Sequence, residues 1–356
     1  MIKLNFSSDH HLKKKQNEKT HEENLMNEEN LMNEQINDEQ TIHLNTNQYK
    51  DGNISYKIEP NVILLPFLNP GGRNLCFSNA AITCILNIPI LRRFLVDAKL
   101  RLIDENRNAL LVELYYLANI PNNDRNISTT HIRNIVKSKC LEAGQLEKSF
   151  NDNNQHDCVE FIQSLLEHFW NEDEVPLDLK ENIFGGLSQE VLTCRCGHVE
   201  ELSIQNLPEI LPIPLEGENI QMCIEKYFSS EIIEWRCPIC PRSKVMKTVK
   251  IIKEPETLVL QILRFEYKID DKNVMKKHDP LVFPIHLNFR RNSLYTLSTV
   301  VNHLGDYPQS GHYTSLIYDE TSNEFILIDD DSIHTDFQLD KDLLEISYIV
   351  TYIKNT

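Results

Sequence analysis

The stretch "NPGGRNLCFSNAAITCIL", residues 69–86, combines a glycine-rich turn with a cysteine and an apolar run. The apolar spacing predicts a helix from Cys76 to about Phe94, and Asn74 is the residue expected to cap it. A helix N-terminus favours the thiolate form of a cysteine through its unpaired N–H groups and its dipole. Cys76 is therefore a candidate nucleophile. The alternative is a small apolar residue at the start of a buried helix.

A nucleophilic cysteine needs a base, and His312 is the best candidate. It stands in "GDYPQSGHYTSLIYDE" (residues 305–320), where a loop leads into a predicted strand and Gly311 allows close backbone approach. The strand "FILIDDDSI" (325–333) follows and contains three aspartates. If the two strands pair, Asp329 would lie beside His312, fix its tautomer and stabilise the imidazolium. A solvated turn or a calcium loop is the alternative, and an EF-hand fits poorly because its glycine is missing.

The order of the predicted elements indicates an α+β protein whose site forms where helices and strands meet. Amphipathic helices are predicted over residues 108–120 and 157–170. After residue 190 the chain consists of short segments rich in β-branched residues, which are typical of strands. These segments are "EVLTCRCGHVEE", "ETLVLQILRF", "PLVFPIHLNF", "YTLSTVVNHLG", "HYTSLIYDE" and "EFILIDDDSI".

Residues 1–57 differ in composition from the rest and are rich in Asn, Glu and Gln. They contain the tandem hexapeptide "EENLMN" over residues 22–33. This composition predicts a disordered, low-complexity N-terminal arm, with a short partner-binding helix as the alternative. A folded domain is expected over residues 58–356.

The charge and the cysteines limit the class of protein. The net charge is −17, of which the first 57 residues contribute only −3. An acidic domain of this kind argues against nucleic-acid binding and permits a basic partner. No secretory h-region and no run of 18 apolar residues is present, so no membrane association is expected. The nine cysteines are then expected to be thiols or metal ligands in a reducing compartment, cytoplasmic and/or nuclear.

Three segments in order resemble the sequence boxes of the ubiquitin-specific proteases: "NLCFSNAAITCIL", "QHDCVEF" and "SGHYTSLIYDE…FILIDDDSI". The resemblance covers roughly residues 65–356. It implies a papain-like cysteine protease fold, with a helical thumb, a β-rich palm and zinc-finger-like fingers over about residues 186–260. It further implies a deubiquitinating enzyme that cleaves the (iso)peptide or thioester bond after the C-terminal glycine of ubiquitin. Its partners would be ubiquitin and ubiquitinated proteins, it would act as a monomer, and catalysis would need no cofactor.

The resemblance also assigns roles to individual residues. Cys76 becomes the nucleophile, His312 the general base that later protonates the leaving amine, and Asp329 the residue that orients His312. Asp330 matches the residue that follows this acid in the family and is expected to serve as a reserve. His303 also matches a family position near the site, but His312 has the Gly-His-Tyr context and the spacing to Asp329.

The second box contributes Gln155, Asp157 and Glu160. The resemblance implies that these residues hold the basic C-terminal tail of ubiquitin. From the residues alone, Asp157 and Glu160 share a helix face, and the alternative is a capped, solvated first turn of the helix.

Two cysteine pairs predict a structural zinc site. Cys237 and Cys240 have the C-x-x-C spacing of a zinc knuckle. The family usually supplies a second C-x-x-C, whereas here Cys194 and Cys196 form a C-x-C pair, with His198 as a possible substitute ligand. Four protein ligands would make the zinc structural, because no position stays open for substrate. A finger-like sheet that keeps its cysteines without metal is the alternative.

The residues before the nucleophile depart from the family pattern. In the family an Asn five residues before the cysteine helps to form the oxyanion hole, and that position is Gly71 here. Asn74 is retained, and Asn69 is the displaced equivalent if "PGG" contains a two-residue insertion. A weak or inactive ubiquitin-binding protein on the same fold is therefore the second hypothesis. A zinc-containing interaction domain is the third, but it leaves "SGHY" without a role.

Overall fold

Helices form the first half of the described chain and strands the second half. The computed structural model describes residues 62–98, 104–121, 127–148, 150, 153–268, 273–289, 293–307, 310–339 and 341–355. The predicted disordered arm, residues 1–57, lies outside the described residues. The chain separates into a unit of residues 1–58 and a unit of residues 59–356, and the second unit carries the elements below. Its first helices are α1 (Cys76–Leu86), α2 (Pro89–Asp97), α3 (Ala109–Asn119), α4 (Thr130–Glu142), α5 (Cys158–Phe169) and α6 (Leu179–Phe184).

The prediction of one helix from Cys76 to about Phe94 was wrong, because the chain bends after Leu86. Pro89 has no N–H for a continuing helix and stands at the first position of α2 instead. The side-chain amide of Asn87 fixes the corner by donating to the carbonyl oxygens of Ile63 and Thr83, at 3.0 and 2.9 Å. The axes of α1 and α2 differ by 85°.

Helix α1 is the central helix of the fold, and every one of its residues is buried. It packs against α5 on one side and a strand of the large sheet on the other. Most of its residues are apolar, and its buried polar residues Ser78, Asn79 and Thr83 all have hydrogen-bond partners, so the helix suits this enclosed position. The first residue of α1, Cys76, is therefore held rigidly between helices and sheet.

A carboxylate from a distant helix end stabilises α3. Glu172 follows α5, is 4% exposed, and accepts hydrogen bonds from the backbone N–H groups of Leu110 and Leu111, at 2.9 and 2.7 Å. Lys139 of α4 pairs with the same carboxylate at 3.3 Å. Because the first N–H groups of a helix lack intrahelical partners, this cap joins three helices.

A four-stranded antiparallel sheet carries the cysteine pairs. Its order is β2-β1-β5-β4, with β1 (Leu187–Thr193), β2 (Val199–Asn206), β4 (Glu231–Glu234) and β5 (Lys244–Lys253). The sheet lies in the region expected for the fingers, about residues 186–260. Cys194 and Cys196 lie in the turn between β1 and β2, and Cys237 and Cys240 follow β4.

A larger sheet forms the main core. Its order is β13-β12-β11-β10-β14-β6-β3, and β9 pairs with β10 beside this path. Its strands are β3 (Ile210–Pro214), β6 (Thr257–Leu263), β9 (His286–Phe289), β10 (Ser293–Tyr307), β11 (Ser310–Asp319), β12 (Glu324–Asp329), β13 (Ser332–Phe337) and β14 (Ser347–Lys354). Helices α7 (Ile220–Tyr227) and α8 (Lys341–Ile346) lie nearby in the chain and contribute buried residues to its core. A two-stranded ribbon, β7 (Phe265–Lys268) and β8 (Asn273–Lys276), completes the strands described.

The predicted strand over residues 280–289 is correct only in its second half. Strand β9 begins at His286, and Val282 makes an isolated bridge to Asn219. Pro280 and Pro284 cannot donate to a ladder, which explains the late start.

In the described ranges, no single helix has the length and apolar composition needed to cross a bilayer, although the bent pair α1–α2 passes this test when counted together.

Candidate active site

Cys76 is the first residue of α1, where the first-turn N–H groups have no intrahelical partner. The side chain is buried, with 3% of its surface exposed. The expected capping role of Asn74 was wrong, because the N-cap residue is Leu75. Asn74 has a left-handed backbone (φ 50°), and its side-chain amide donates to the carbonyl oxygen of Asn153 at 2.6 Å.

His312 lies between a thiol and a carboxylate. Strands β11 and β12 pair antiparallel, so that His312 near the start of β11 lies beside Asp329 at the end of β12. Nε2 of His312 is 2.6 Å from Oδ1 of Asp329. The Cys76 thiol lies next to the same imidazole, because α1 packs against β11. The structure thus brings together all three residues of the predicted catalytic set.

The surroundings of His312 favour its charged form. The adjacent Cys76 thiol and then the hydrogen bond with Asp329 raise the pKa of His312 to about 9, although burial opposes the shift. An imidazolium next to a cysteine is the setting in which a thiolate forms. The arrangement can therefore support nucleophilic attack and return of a proton to a leaving group.

Asp330 connects the strand of Asp329 to the residues around Cys76. Its Oδ2 accepts from Nδ2 of Asn69 at 2.7 Å and its Oδ1 from Nδ2 of Asn79 at 2.8 Å. Burial raises the pKa of Asp330, and the two amides oppose that shift. Both oxygens are engaged by the asparagines, and a carboxylate oxygen of Asp330 also lies within 4.8 Å of a ring nitrogen of His312, so the reserve role of Asp330 stays a prediction.

The side chain of Asn69 contacts the start of α1, whereas Gly71 has no side chain that could do so. Its Oδ1 accepts from the backbone N–H of Leu75 at 2.9 Å. Residues 70–73 form a turn closed by a hydrogen bond from Arg73 N–H to the Pro70 carbonyl oxygen, at 3.1 Å. Gly72 has φ +82°, which favours glycine, and Gly71 faces open space. Residues 70–73 are all exposed, and the displacement of Asn69 by a two-residue insertion stays a prediction.

The second box lies next to His312, and its residues make different contacts. Gln155 Oε1 accepts from the backbone N–H of Gly311, the residue before His312. Asp157 is the N-cap of α5: its Oδ1 accepts from the N–H groups of Val159 and Glu160, and its Oδ2 from the Tyr348 hydroxyl at 2.6 Å. Burial raises the pKa of Asp157.

The expectation that Asp157 and Glu160 share one helix face does not hold. Asp157 precedes the helix and turns towards Tyr348, whereas Glu160 in the first turn is exposed. Of the two carboxylates, Glu160 is the one open to a ligand.

The four predicted zinc ligands come together. The Sγ atoms of Cys194 and Cys240 are 3.6 Å apart and those of Cys196 and Cys237 are 3.7 Å apart, and all four lie within 4.8 Å of one another. Tetrahedral zinc with Zn–S bonds of about 2.3 Å requires S–S distances of about 3.8 Å, so the donor set fits the ion. His198 is not part of this group. Its ring lies nearly parallel to that of Trp235, with centroids 6.3 Å apart.

Sequence reasoning missed two residues that hold the site together. Asn79 lies three residues after Cys76 on α1, and a polar residue at that spacing in an apolar helix is a usable signal. Its Oδ1 accepts from the Thr129 hydroxyl at 2.7 Å, which orients the amide towards Asp330. Tyr348, which binds Asp157, is 191 residues away in sequence and gave no such signal.

Comparison with protein-family models and with curated proteins matches this chain to ubiquitin carboxyl-terminal hydrolases. The family model described as ubiquitin carboxyl-terminal hydrolase matches residues 68–352. Probable ubiquitin carboxyl-terminal hydrolase 8 of Schizosaccharomyces pombe is 27% identical over 198 residues, which cover 53% of this chain and 43% of the relative. Ubiquitin carboxyl-terminal hydrolase 4 of Arabidopsis thaliana is 29% identical over 163 residues, 42% of this chain and 44% of the relative. The matched segments thus span less than half of these two relatives.

Solved structures with a similar fold include the SAGA DUB module of Ubp8, Sgf11, Sus1 and Sgf73 bound to monoubiquitin. The TM-score is 0.69 at 19% identity, and the match covers 87% of this chain and 73% of that one. The same module bound to ubiquitin aldehyde gives a TM-score of 0.68 at 18% identity. At this identity the likeness concerns the fold, and it confirms the predicted α+β, papain-like architecture.

Proposed function

Because this chain belongs to the ubiquitin carboxyl-terminal hydrolase family, of the ubiquitin-specific protease type, we propose that it is a deubiquitinating cysteine protease. Its reaction is hydrolysis of the (iso)peptide or thioester bond after the C-terminal glycine of ubiquitin. The observation that carries the proposal is His312, which lies next to the Cys76 thiol and 2.6 Å from Oδ1 of Asp329. A protein that only binds ubiquitin has no need of these three groups in contact.

In this mechanism Cys76 attacks as a thiolate stabilised by the His312 imidazolium. The carbonyl oxygen becomes an oxyanion, for which the Nδ2 group of Asn69 and the first N–H groups of α1 are the donors. His312 then protonates the leaving amine as the C–N bond breaks, and a thioester to Cys76 remains. His312 next takes a proton from water, which attacks the thioester and releases ubiquitin and the thiol. Asp329 keeps the imidazole oriented in both steps.

Ubiquitin and its conjugates are the proposed partners. The domain is acidic, and the basic tail of ubiquitin suits such a surface. Within the second box, Glu160 is exposed and available for the tail, whereas Gln155 and Asp157 position Gly311 and α5. We further propose a monomer in the cytoplasm and/or nucleus, where reducing conditions keep its cysteines as thiols.

The four-cysteine group is proposed to hold a structural zinc ion. The S–S distances fit tetrahedral coordination, and four thiolates leave no open position on the metal. Zinc would link the β1–β2 turn to the segment after β4 and take no part in catalysis.

A ubiquitin probe with a thiol-reactive C-terminus tests the enzymatic proposal. We expect one adduct at Cys76, and none with Cys76→Ser. Cys84→Ser is the matched control, because burial raises the pKa of the Cys84 thiol and makes it a poor nucleophile. An adduct that persists in Cys76→Ser, or no adduct at all, contradicts the assignment.

The second candidate is a catalytically weak ubiquitin-binding protein on the same fold. The observation in its favour is Gly71, which occupies the usual oxyanion position and faces solvent. Adduct formation without turnover of a ubiquitin amide would support this candidate.

A further inference from the structure

A buried lysine lies against the end of β10, the strand that pairs with the His312 strand β11. Lys276 is the last residue of β8 and is 8% exposed. Its Nζ donates to the carbonyl oxygens of His303 and Gly305, the latter at 2.8 Å, and lies 3.3 Å from Nδ1 of His303. It also approaches the Phe265 ring, at 5.8 Å from the centroid. A buried ammonium group is costly, and these acceptors compensate for the lost hydration.

The contact with Lys276 determines the tautomer of His303. An ammonium group has donors only, so Nδ1 of His303 must accept and Nε2 must carry the hydrogen. The ring is 1% exposed and lies among the aromatic rings of Phe265, Tyr313 and Tyr348. Burial, the Lys276 cation and nearby His312 lower the pKa of His303 to about 4. His303 is therefore neutral at physiological pH.

His303 packs directly against the backbone that carries the base. In the β10–β11 register, His303 pairs with Tyr313 and Leu304 with His312. A Cβ atom on Gly311 would lie 2.7 Å from Nε2 of His303 and 2.1 Å from the carbonyl oxygen of Leu304. Only glycine allows this approach, so the His303 ring sets the position of the residue next to His312.

We propose that Lys276 is a positioning residue for His312. Its ammonium group fixes the backbone at His303 and Gly305 and holds His303 as the neutral Nε2–H tautomer against Gly311. A charged His303 would place a second imidazolium beside His312 and lower the pKa of His312. The neutral His303 avoids this repulsion. The proposal deepens the proposed function and rests on it for the role of His312.

Two charged side chains on neighbouring elements act on Lys276. These are Arg264, between β6 and β7, which lowers the pKa of Lys276, and Asp306 of β10, which raises it. Arg264 is fully buried and donates to the carbonyl oxygens of Ser347, Leu344, Lys277 and Asp279, so it anchors the segment after β8. Burial and Arg264 lower the pKa of Lys276 to about 8, which leaves it mostly protonated at neutral pH.

The first test reads the imidazole directly in the full-length wild-type protein. Nitrogen-15 NMR of the histidine side chains should show His303 as a neutral Nε2–H ring across about pH 6–8, where an ordinary imidazole titrates. A charged ring or an Nδ1–H tautomer would overturn the proposal. Because this measurement needs no substrate, its outcome is independent of the proposed function.

The second test combines kinetics with amide exchange in Lys276→Met, with Lys277→Met as the matched control. Lys277 is the next residue, and its side chain pairs with Glu266 at the surface. In Lys276→Met we expect kcat for a fluorogenic ubiquitin amide to fall by about 10²-fold, the cost of a misplaced catalytic group. Affinity for ubiquitin, measured with a Cys76→Ala background, should stay unchanged. Amide exchange should accelerate at residues 304–307, 310 and 311 and not across the rest of the large sheet.

Two results would contradict a positioning role. One is an unchanged kcat in Lys276→Met. The other is equal acceleration of amide exchange throughout the large sheet, which would mean that Lys276 contributes only to general stability. If Lys276→Met fails to fold, Lys276→Gln replaces it in both measurements, because glutamine keeps hydrogen-bond donors without the charge. If the wild-type protein hydrolyses no ubiquitin amide while His303 has the expected tautomer, the proposed function fails and the structural arrangement stands.

Discussion

At the residue scale, the carboxamide of Asn69 connects the start of α1 to Asp330 and is the side-chain donor that we propose for the oxyanion. Its oxygen accepts from Leu75 N–H and its nitrogen donates to Asp330, so the side chain is fixed at both ends. The Nδ2 group has a second hydrogen, which is the donor that we assign to the oxyanion. Gly71 has no side chain to offer at the usual position. If the 70–73 turn contains a two-residue insertion, we expect Asn69 to replace the missing oxyanion donor, and the proposed activity depends on this replacement.

Asn69→Ala tests this dependence. We expect kcat for a ubiquitin amide to fall by about 10²–10³-fold, the usual cost of a lost oxyanion donor. Alkylation of Cys76 by iodoacetamide forms no oxyanion and should proceed at the wild-type rate. Gly71→Ala is the control, because a Cβ there meets no atom within 4 Å. Equal loss in both assays would mean that Asn69 only holds the structure of the site.

The pH dependence of catalysis follows from His312. The wild-type rate should decline on the alkaline side near pH 9, because the pKa of His312 is raised to about 9 and the imidazolium is lost above it. Asp329→Asn removes one of the groups that raise this pKa, so the alkaline limb should move to lower pH. The rate itself should fall by about 10²–10⁴-fold, the usual contribution of acid–base catalysis. The measurement is kcat/KM against pH for both proteins.

The same shift has a consequence for stability. A histidine whose pKa rises on folding stabilises the protein fully below its ordinary value of 6.5, and that contribution disappears as pH rises through about 9. Thermal unfolding should therefore separate the wild-type protein from Asp329→Asn more at about pH 6 than at about pH 10. A difference that grows with pH would contradict this assignment of charge.

At the element scale, the four-stranded sheet depends on its cysteine turns. Leu192, Cys194, Cys237 and Val245 form a small buried cluster of their own. So few apolar residues contribute little burial free energy, and a metal that joins the β1–β2 turn to the segment after β4 would supply what the cluster lacks.

Metal analysis tests the zinc site. We expect one zinc ion per chain in the native protein and a loss of zinc in Cys240→Ser. The sheet of β1, β2, β4 and β5 should then lose protection against amide exchange, while the large sheet keeps it. Cys223→Ala, which changes a buried cysteine of α7 outside the group, should retain the metal. Zinc well below one equivalent in the native protein would end this proposal.

How far the sequence predicted the elements depended on the range of the interactions involved. Local periodicity located α3, α5 and β10 to β12, because their burial patterns are strong and short-range. It joined α1 and α2 in one helix because the apolar spacing continues past Leu86, whereas Pro89 starts a new helix there. Cys76, His312 and Asp329 were recognisable from motif and spacing. The Asn79–Asp330 and Asp157–Tyr348 contacts were not, since each joins residues 191 or more positions apart through tertiary packing.

At the scale of the whole molecule, the proposed function is concentrated in the second unit. The family model matches residues 68–352, and the proposed catalytic residues lie between positions 69 and 330. Most of the negative charge lies there as well, because residues 1–57 account for only −3 of the −17. An attraction for the basic tail of ubiquitin should therefore come from this unit and not from the arm.

Deletion of residues 1–57 tests that division. We expect kcat and KM for a fluorogenic ubiquitin amide to match those of the full chain, because the deletion removes no residue of the proposed site. The salt dependence of KM should also be retained, since screening acts on charges that the deletion leaves in place. A full-length protein with 57 residues of neutral Gly/Ser sequence in place of the arm is the control for chain length. A higher KM for both altered proteins would assign part of ubiquitin binding to the arm, and its tandem "EENLMN" hexapeptide would be the first segment to substitute.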